Sequence, residues 1–149
     1  MEMKKAERLK VVLDLEMVKK DKAAKALAEA ISNLDNAKNS LRQLSDYLDD
    51  YQSQAIEVGK VGVNAAAFRN RQSLAGRIGG AIEQQGHSID LFERQLEQVR
   101  KHYEKVYARV RSIEILIEKS EAQELRKQAI QEQKMLDEFT QAQQFRKNI

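Results

Sequence analysis

Between Ile78 and Ile117, hydrophobic residues recur at alternating intervals of four and three. The series is Ile78, Ile82, Gln85, Ile89, Phe92, Leu96, Val99, Tyr103, Val106, Val110, Ile113 and Ile117, with eleven of the twelve positions hydrophobic. The residues between them are mostly charged or polar. Steps of three and four average 3.5 residues, the period of a helix that keeps one narrow stripe against a partner helix. A strand requires period two, and the helix of a globular core shows a broader stripe. The pattern therefore predicts a coiled-coil seam, and a seam implies a second helix to receive it.

The first part of the chain carries a matching stripe. It reads Leu9, Leu13, Ala23, Leu27, Ala30, Leu34, Ala37, Leu41, Leu44, Leu48, Tyr51, Ala55 and Val58, interrupted only by Glu16 and Lys20. Within it, Leu27, Leu34, Leu41 and Leu48 form a strict seven-residue repeat. With no proline among 149 residues, nothing forces either helix to stop early. The first helix is expected over about 4–57, which at 1.5 Å per residue makes a rod of roughly 80 Å. Glu16/Lys20 and Asp21/Lys25, each acid before base at i, i+4, add a few tenths of a kcal/mol apiece.

The only clear break is Gly59-Lys60-Val61-Gly62-Val63-Asn64, with Asn64 placed to cap a helix that starts in Ala65-Ala66-Ala67-Phe68. A turn there predicts a tip over about 58–69 and a second helix over about 70–144 folding back on the first. A parallel homodimer of the same helices is the rival arrangement, and the break favours folding back. Gly76, Gly79, Gly80 and Gly86 fall in the first turns of the second helix, each costing up to about 1 kcal/mol relative to alanine. They read as close approach of two backbones near the tip, or as local pliability at a docking surface. Antiparallel pairing about residue 61 sets the start of the first helix beside 114–120, where the seam ends. Residues 121–149 then overhang, with a thinner apolar face of Leu125, Ala129, Leu136, Phe139 and Ala142. An unpaired amphipathic helix is marginal alone, so the overhang calls for a partner protein. The fold class is all-α, one long antiparallel two-helix coiled-coil hairpin over 1–149 with an overhanging C-terminal helix.

Charge and composition narrow the function. Net charge is only +3, from 26 basic and 23 acidic residues. Residues 1–25 hold 8 basic and 5 acidic groups, 26–93 hold 6 and 9, and 94–149 hold 12 and 9, so both terminal segments are basic and the middle acidic. Acids interleave with Lys19-Lys20 and with Arg100-Lys101, which argues against a nucleic-acid stripe. There is no cysteine, hence no disulfide framework and no thiolate metal site. The start, Met1 to Arg8, is too polar for a secretory signal, and no apolar run nears the roughly 18 residues of a membrane span. A soluble, cytoplasmic protein is expected. Gly59-Lys60 lacks the preceding glycine and following Ser/Thr of a phosphate-binding loop. His87 and His102 have no ligand cluster around them, and Asp49/Asp50 reads as solvated helix surface. The apolar stripe is already required for the seam, which leaves none for a membrane surface. No catalytic residues, metal or cofactor are expected, and the protein is not read as an enzyme.

Three stretches go beyond a generic helical pair. They are Asp46-Tyr47-Leu48-Asp49-Asp50-Tyr51; Asn70-Arg71-Gln72-Ser73-Leu74 followed by Ile78 and Ala81-Ile82-Glu83-Gln84-Gln85; and Glu132-Gln133-Lys134-Met135-Leu136-Asp137-Glu138-Phe139. In this order and at this length, together with the opening Arg8-Leu9-Lys10-Val11-Val12-Leu13-Asp14-Leu15, they resemble the flagellar export protein FliJ family over essentially the whole chain. The Gln-Lys-x-x-Asp-Glu-Phe element is the most specific piece. The resemblance implies an antiparallel helical hairpin like the central-stalk gamma subunit of rotary ATPases. It also implies a stalk role for the hexameric export ATPase FliI, contact with the export-gate protein FlhA and, in some members, carriage of emptied export chaperones. Carried over by motif, the gate-contacting set would be Leu44, Tyr47, Tyr51, Asn70, Leu74, Ile78, Ala81 and Gln85. The ATPase-contacting set would be Gln133, Lys134, Asp137, Glu138 and Phe139. Two positions depart from the family pattern: Arg71 stands where an aromatic is common, and Gln85 where some relatives have histidine. Leu44, Tyr51 and Ile78 also fall on the seam.

The resulting expectation is a non-enzymatic stalk and escort component of the flagellar type III export apparatus, peripheral at the cytoplasmic face of the inner membrane. It would promote ATPase ring assembly and link the ring to the gate. The alternatives are the equivalent stalk of a virulence-type injectisome, or a generic homodimeric coiled-coil scaffold; a basic nucleic-acid-binding rod ranks last.

Overall fold

The computed structural model describes residues 4–60, 62 and 64–148. The described chain is all-α and consists of two long helices, α1 (Lys5–Lys60) and α2 (Ala65–Lys147). At the turn, Gly62 has φ +83°, a left-handed conformation that residues with a Cβ rarely adopt. Asn64 then caps α2. Its Oδ1 accepts from the Ala66 main-chain N–H at 2.7 Å, and its carbonyl accepts from Phe68 N–H at 3.2 Å. Because that cap feeds directly into three alanines, α2 begins at Ala65, five residues ahead of the expected start at Asn70. Val61 and Val63 of the expected tip lie outside the described residues, as does the side chain of Val58 at the end of the α1 stripe.

By contact, the chain divides into two compact units, one of Lys22–Glu104 and one of Met1–Asp21 with Lys105–Ile149. In the first unit, Leu34, Ala37 and Ile89 form a buried cluster with Leu41, Phe92 and Leu96 packed against it. Small and large residues alternate along α1 here, so a bulky α2 side chain such as Ile89 can seat against Ala37. Gln85 Nε2 donates to the Ala37 carbonyl across the pair at 3.1 Å. Further along, the Arg71 guanidinium lies over the Tyr51 ring. The two helix segments of this unit therefore run antiparallel. In the second unit Val110 is the most buried residue at 1% exposure, with Ile113 and Ile117 also buried. Lys10 pairs with Glu121 at 2.9 Å, Lys4 with Glu124 at 4.0 Å, and Arg109 with Glu16 at 3.4 Å, again an antiparallel order.

Every described position of both stripes is buried or half-buried, including the polar interruptions Glu16, Lys20 and Gln85. Period 3.5 thus identified the packed face correctly in both units.

The glycines of α2 do not behave as a close-approach expectation requires. A Cβ built at Gly76, Gly79, Gly80 or Gly86 meets nothing within 4 Å. No backbone presses on these positions, and the helix runs uninterrupted through Gly79-Gly80. Glycine there leaves the backbone freer in the unfolded chain with no packing gain in return. Replacing Gly80 by alanine is expected to stabilise the protein by about 0.5–1 kcal/mol. Leu34→Ala, which empties part of the buried cluster, is expected to cost about 2–3 kcal/mol. Urea unfolding followed by circular dichroism measures both.

Candidate functional site: two exposed helix faces

In the Lys22–Glu104 unit, the eight residues of the expected gate-contacting set separate by exposure. Tyr47 is 55% exposed and Leu74 39%, and Asn70 is also exposed. Tyr51 is half-buried. Its ring stacks on Tyr47, four residues back on the same helix face, with centroids 6.4 Å apart and planes 22° apart. Leu44, Ala81 and Gln85 are half-buried and Ile78 is buried at 8%. Gln85 is turned inward, its amide held by the Ala37 carbonyl, so its side chain helps to join the helices. Tyr47, Asn70 and Leu74 offer surface; Leu44, Ile78 and Gln85 hold the pair together beneath it.

Arg71, at a position where the resembled family often has an aromatic, sits with its guanidinium 6.0 Å from the centroid of Tyr51. A flat cation over a ring preserves contact with that aromatic face by cation–π attraction. Arg71 and Tyr51 also line an open groove of about 390 Å³ with Ala55, Ile56, Phe68 and Ala75. Ile56 is 64% exposed and Phe68 46%. Neither belongs to the expected set. Ile56 lies off the α1 stripe, next to seam residue Ala55. Phe68 is the only aromatic in the first turn of α2, signals that a search confined to the seam passes over.

The second face belongs to the other unit. Every residue from Leu125 to Asn148 is exposed, and of these Leu125, Lys127 and Gln128 still border a groove with Lys4, Lys5, Ala6, Glu7 and Lys10 of α1. Pairing extends a few residues past the expected limit near 120 because the Lys10–Glu121 and Lys4–Glu124 ion pairs continue it beyond the last apolar seam residue, Ile117. Lys10 has its pKa raised by its hydrogen bond to the Glu121 carboxylate and by that group's charge. The free segment carries Leu125, Ile130, Met135, Leu136, Phe139 and Phe145, each at least 60% exposed. At 100° per residue, Leu125, Ala129, Leu136 and Phe139 share an arc of about 80°. The expected ATPase-contacting residues all lie in this exposed segment but not on one side of it. Gln133 and Asp137 flank the apolar arc, joined by a 3.3 Å hydrogen bond from Gln133 Nε2 to Asp137 Oδ1. Lys134 and Glu138 fall on the opposite side. Val11, Leu15 and Val18 of α1, in the same unit, are 52–63% exposed and also step by four and three. They form a second apolar stripe outside the seam, legible in the sequence once the seam residues are subtracted.

No cluster of three or more His, Cys, Asp or Glu able to hold a metal occurs among the described residues, and no described helix is long and apolar enough to cross a membrane. Two long helices joined by a short turn, with apolar surface left outside their packed stripes, define a class of helical protein that works through contacts with other proteins. The profile described as Flagellar FliJ protein matches residues 3–148, nearly the whole chain, and the chain belongs to that family. It is accordingly a component of flagellar type III export. No curated protein and no solved structure matches it.

Among the described residues the exposed segment borders α1 only through Leu125, Lys127 and Gln128, so truncation after Glu124 is expected to leave the thermal midpoint of the remaining chain within about 2 °C of full length. Helical signal alone should fall, in proportion to the residues removed. Calorimetry with circular dichroism checks this, and a large drop in midpoint would show that the segment packs against the remaining chain.

Proposed function

We propose that α1 and α2 form one antiparallel coiled-coil hairpin and that the protein is a non-enzymatic stalk and escort component of the flagellar export apparatus. In this reading it promotes ring assembly by the hexameric export ATPase FliI and links that ring to the export-gate protein FlhA. It works at the cytoplasmic face of the inner membrane and carries export chaperones in the manner of some family members. The observation that carries the ATPase role is the run of exposed helix from Leu125 to Asn148 with its six exposed large hydrophobic side chains. Helix this long and apolar, left exposed by the described residues of its own chain, is suited to burial in a partner. Phe139 is the natural anchor, because a buried aromatic concentrates contact area. Gln133 and Asp137 are placed to supply polar contacts at its border, and Lys134 and Glu138 to meet a second wall of a surrounding ring. Val11, Leu15 and Val18 add apolar surface in the same unit.

The gate contact is assigned to the other unit, with Tyr47, Asn70 and Leu74 as outward residues and Tyr51 supporting them. Leu44, Ile78, Ala81 and Gln85 are assigned to shape that face from below. The unpacked glycines of α2 give the same face a pliable backbone.

ATP hydrolysis and ring formation by FliI are expected to rise with full-length protein and to return to the basal level with residues 1–124. Phe139→Ala is expected to weaken the stimulating concentration about tenfold. Absence of stimulation by the folded full-length chain overturns the stalk reading. Stimulation that survives truncation keeps it and moves the contact to the paired helices. For the gate, Tyr47→Ala and Leu74→Ala should each weaken FlhA binding about tenfold with little change in melting temperature, whereas Ile78→Ala should lower both.

A further inference from the structure

Glu16 is the only buried charged residue among those described, at 4% exposure, and it occupies a seam position on α1 between Leu13 and Lys20. Its Oε1 receives Lys19 Nζ at 3.3 Å and Arg109 Nε at 3.4 Å. Lys19 lies three residues along the same helix, so that contact survives any displacement of α1 along α2 and says nothing about alignment. Arg109 lies on α2 and reaches in from an exposed flank, so its contact exists in one alignment only. Lys20, the next polar seam residue, is engaged elsewhere, its ammonium 5.1 Å from the Tyr107 ring centroid.

The apolar stripe alone does not select an alignment. Sliding α1 by one heptad, about 10 Å, again sets hydrophobic residues opposite hydrophobic residues. A buried carboxylate breaks that degeneracy, because a slip removes the cross-helix Arg109 and leaves only Lys19 of its own helix to compensate the charge, which costs more than losing one apolar contact. After a heptad slip the residue in the place of Arg109 would be Leu116 or His102, neither a permanent cation. A parallel pairing of two α1 helices is penalised as well, since it would set two Glu16 carboxylates together in one seam.

We infer that Glu16 and Arg109 are a register lock: they determine which residues of α2 the start of α1 covers, and hence where the uncovered helix begins. The lock costs stability, as polar residues at seam positions generally do. It holds whether or not the free helix binds the ATPase.

The chain has no cysteine, so Val11→Cys and Ser112→Cys create the only two sites for spin labels. In that background, pulsed electron–electron resonance should give one narrow distance. Adding Glu16→Leu should introduce a second population displaced by about 10 Å, the length of one heptad, or an intermolecular distance from dimers. A single distance unchanged by Glu16→Leu overturns the lock, whatever happens to the melting temperature. Arg109→Met, which leaves the carboxylate only Lys19 of its own helix, should lower the melting temperature and broaden the distance distribution. An unchanged midpoint and distribution in that variant removes Arg109 from the device.

Discussion

Burial of one narrow apolar stripe per helix is the interaction on which the remaining structure depends. Two helices packed side by side share only one line of contact, so few residues can be fully enclosed. Nine hydrophobic residues are buried among those described, only Val110 of them almost completely, and apart from Glu16 the other described stripe positions are half-covered. A core this thin makes each enclosed residue matter. It also gives polar residues on the stripe unusual weight, because each must find its partner on the facing helix. Gln85 does so through the Ala37 carbonyl in one unit, and Glu16 through Arg109 in the other.

The same geometry separates residues that build the molecule from residues available to a partner. A side chain on the stripe is committed to its neighbouring helix, and most large apolar ones off the stripe stay exposed among the described residues. Tyr47, Leu74, Ile56, Phe68, Val11 and Leu15 are exposed for that reason, as is the whole apolar arc beyond Glu124. A motif carried across from a family mixes the two kinds. Tyr47 and Ile78 stand in the same candidate face, yet one presents its ring to solvent and the other is enclosed. A contact measured by substitution at Ile78 would therefore report on helix pairing as well as on docking.

Glycine placement shows where local reasoning and packing diverge. Four glycines in the early turns of a helix suggest a close neighbour, because that is the usual compensation for their entropic cost. The space around them is open. α2 nonetheless runs unbroken through all four. At Arg71, by contrast, packing supplies a contact that spacing does not announce: its guanidinium covers the Tyr51 ring across the pair.

Much of the fold was legible in the chain itself because coiled-coil periodicity is a direct record of which side chains face a partner. The 4-3 steps identified every described seam position, the Gly62 and Asn64 signals located the turn, and the absence of proline allowed helices of 56 and 83 residues. The three quoted stretches were also enough to place the family. Alignment was legible only approximately, from the place of the turn, because a seven-residue repeat fits itself again after every heptad. Only the folded structure showed Lys10 reaching Glu121 and Lys4 reaching Glu124, which put the start of the free helix at Leu125. The sides of the candidate sites were settled in the same way. Periodicity reports the distance of a residue from the seam, but the inward turn of Gln85, the stack of Tyr47 on Tyr51 and the groove beside Phe68 depend on side chains far apart in sequence meeting in space.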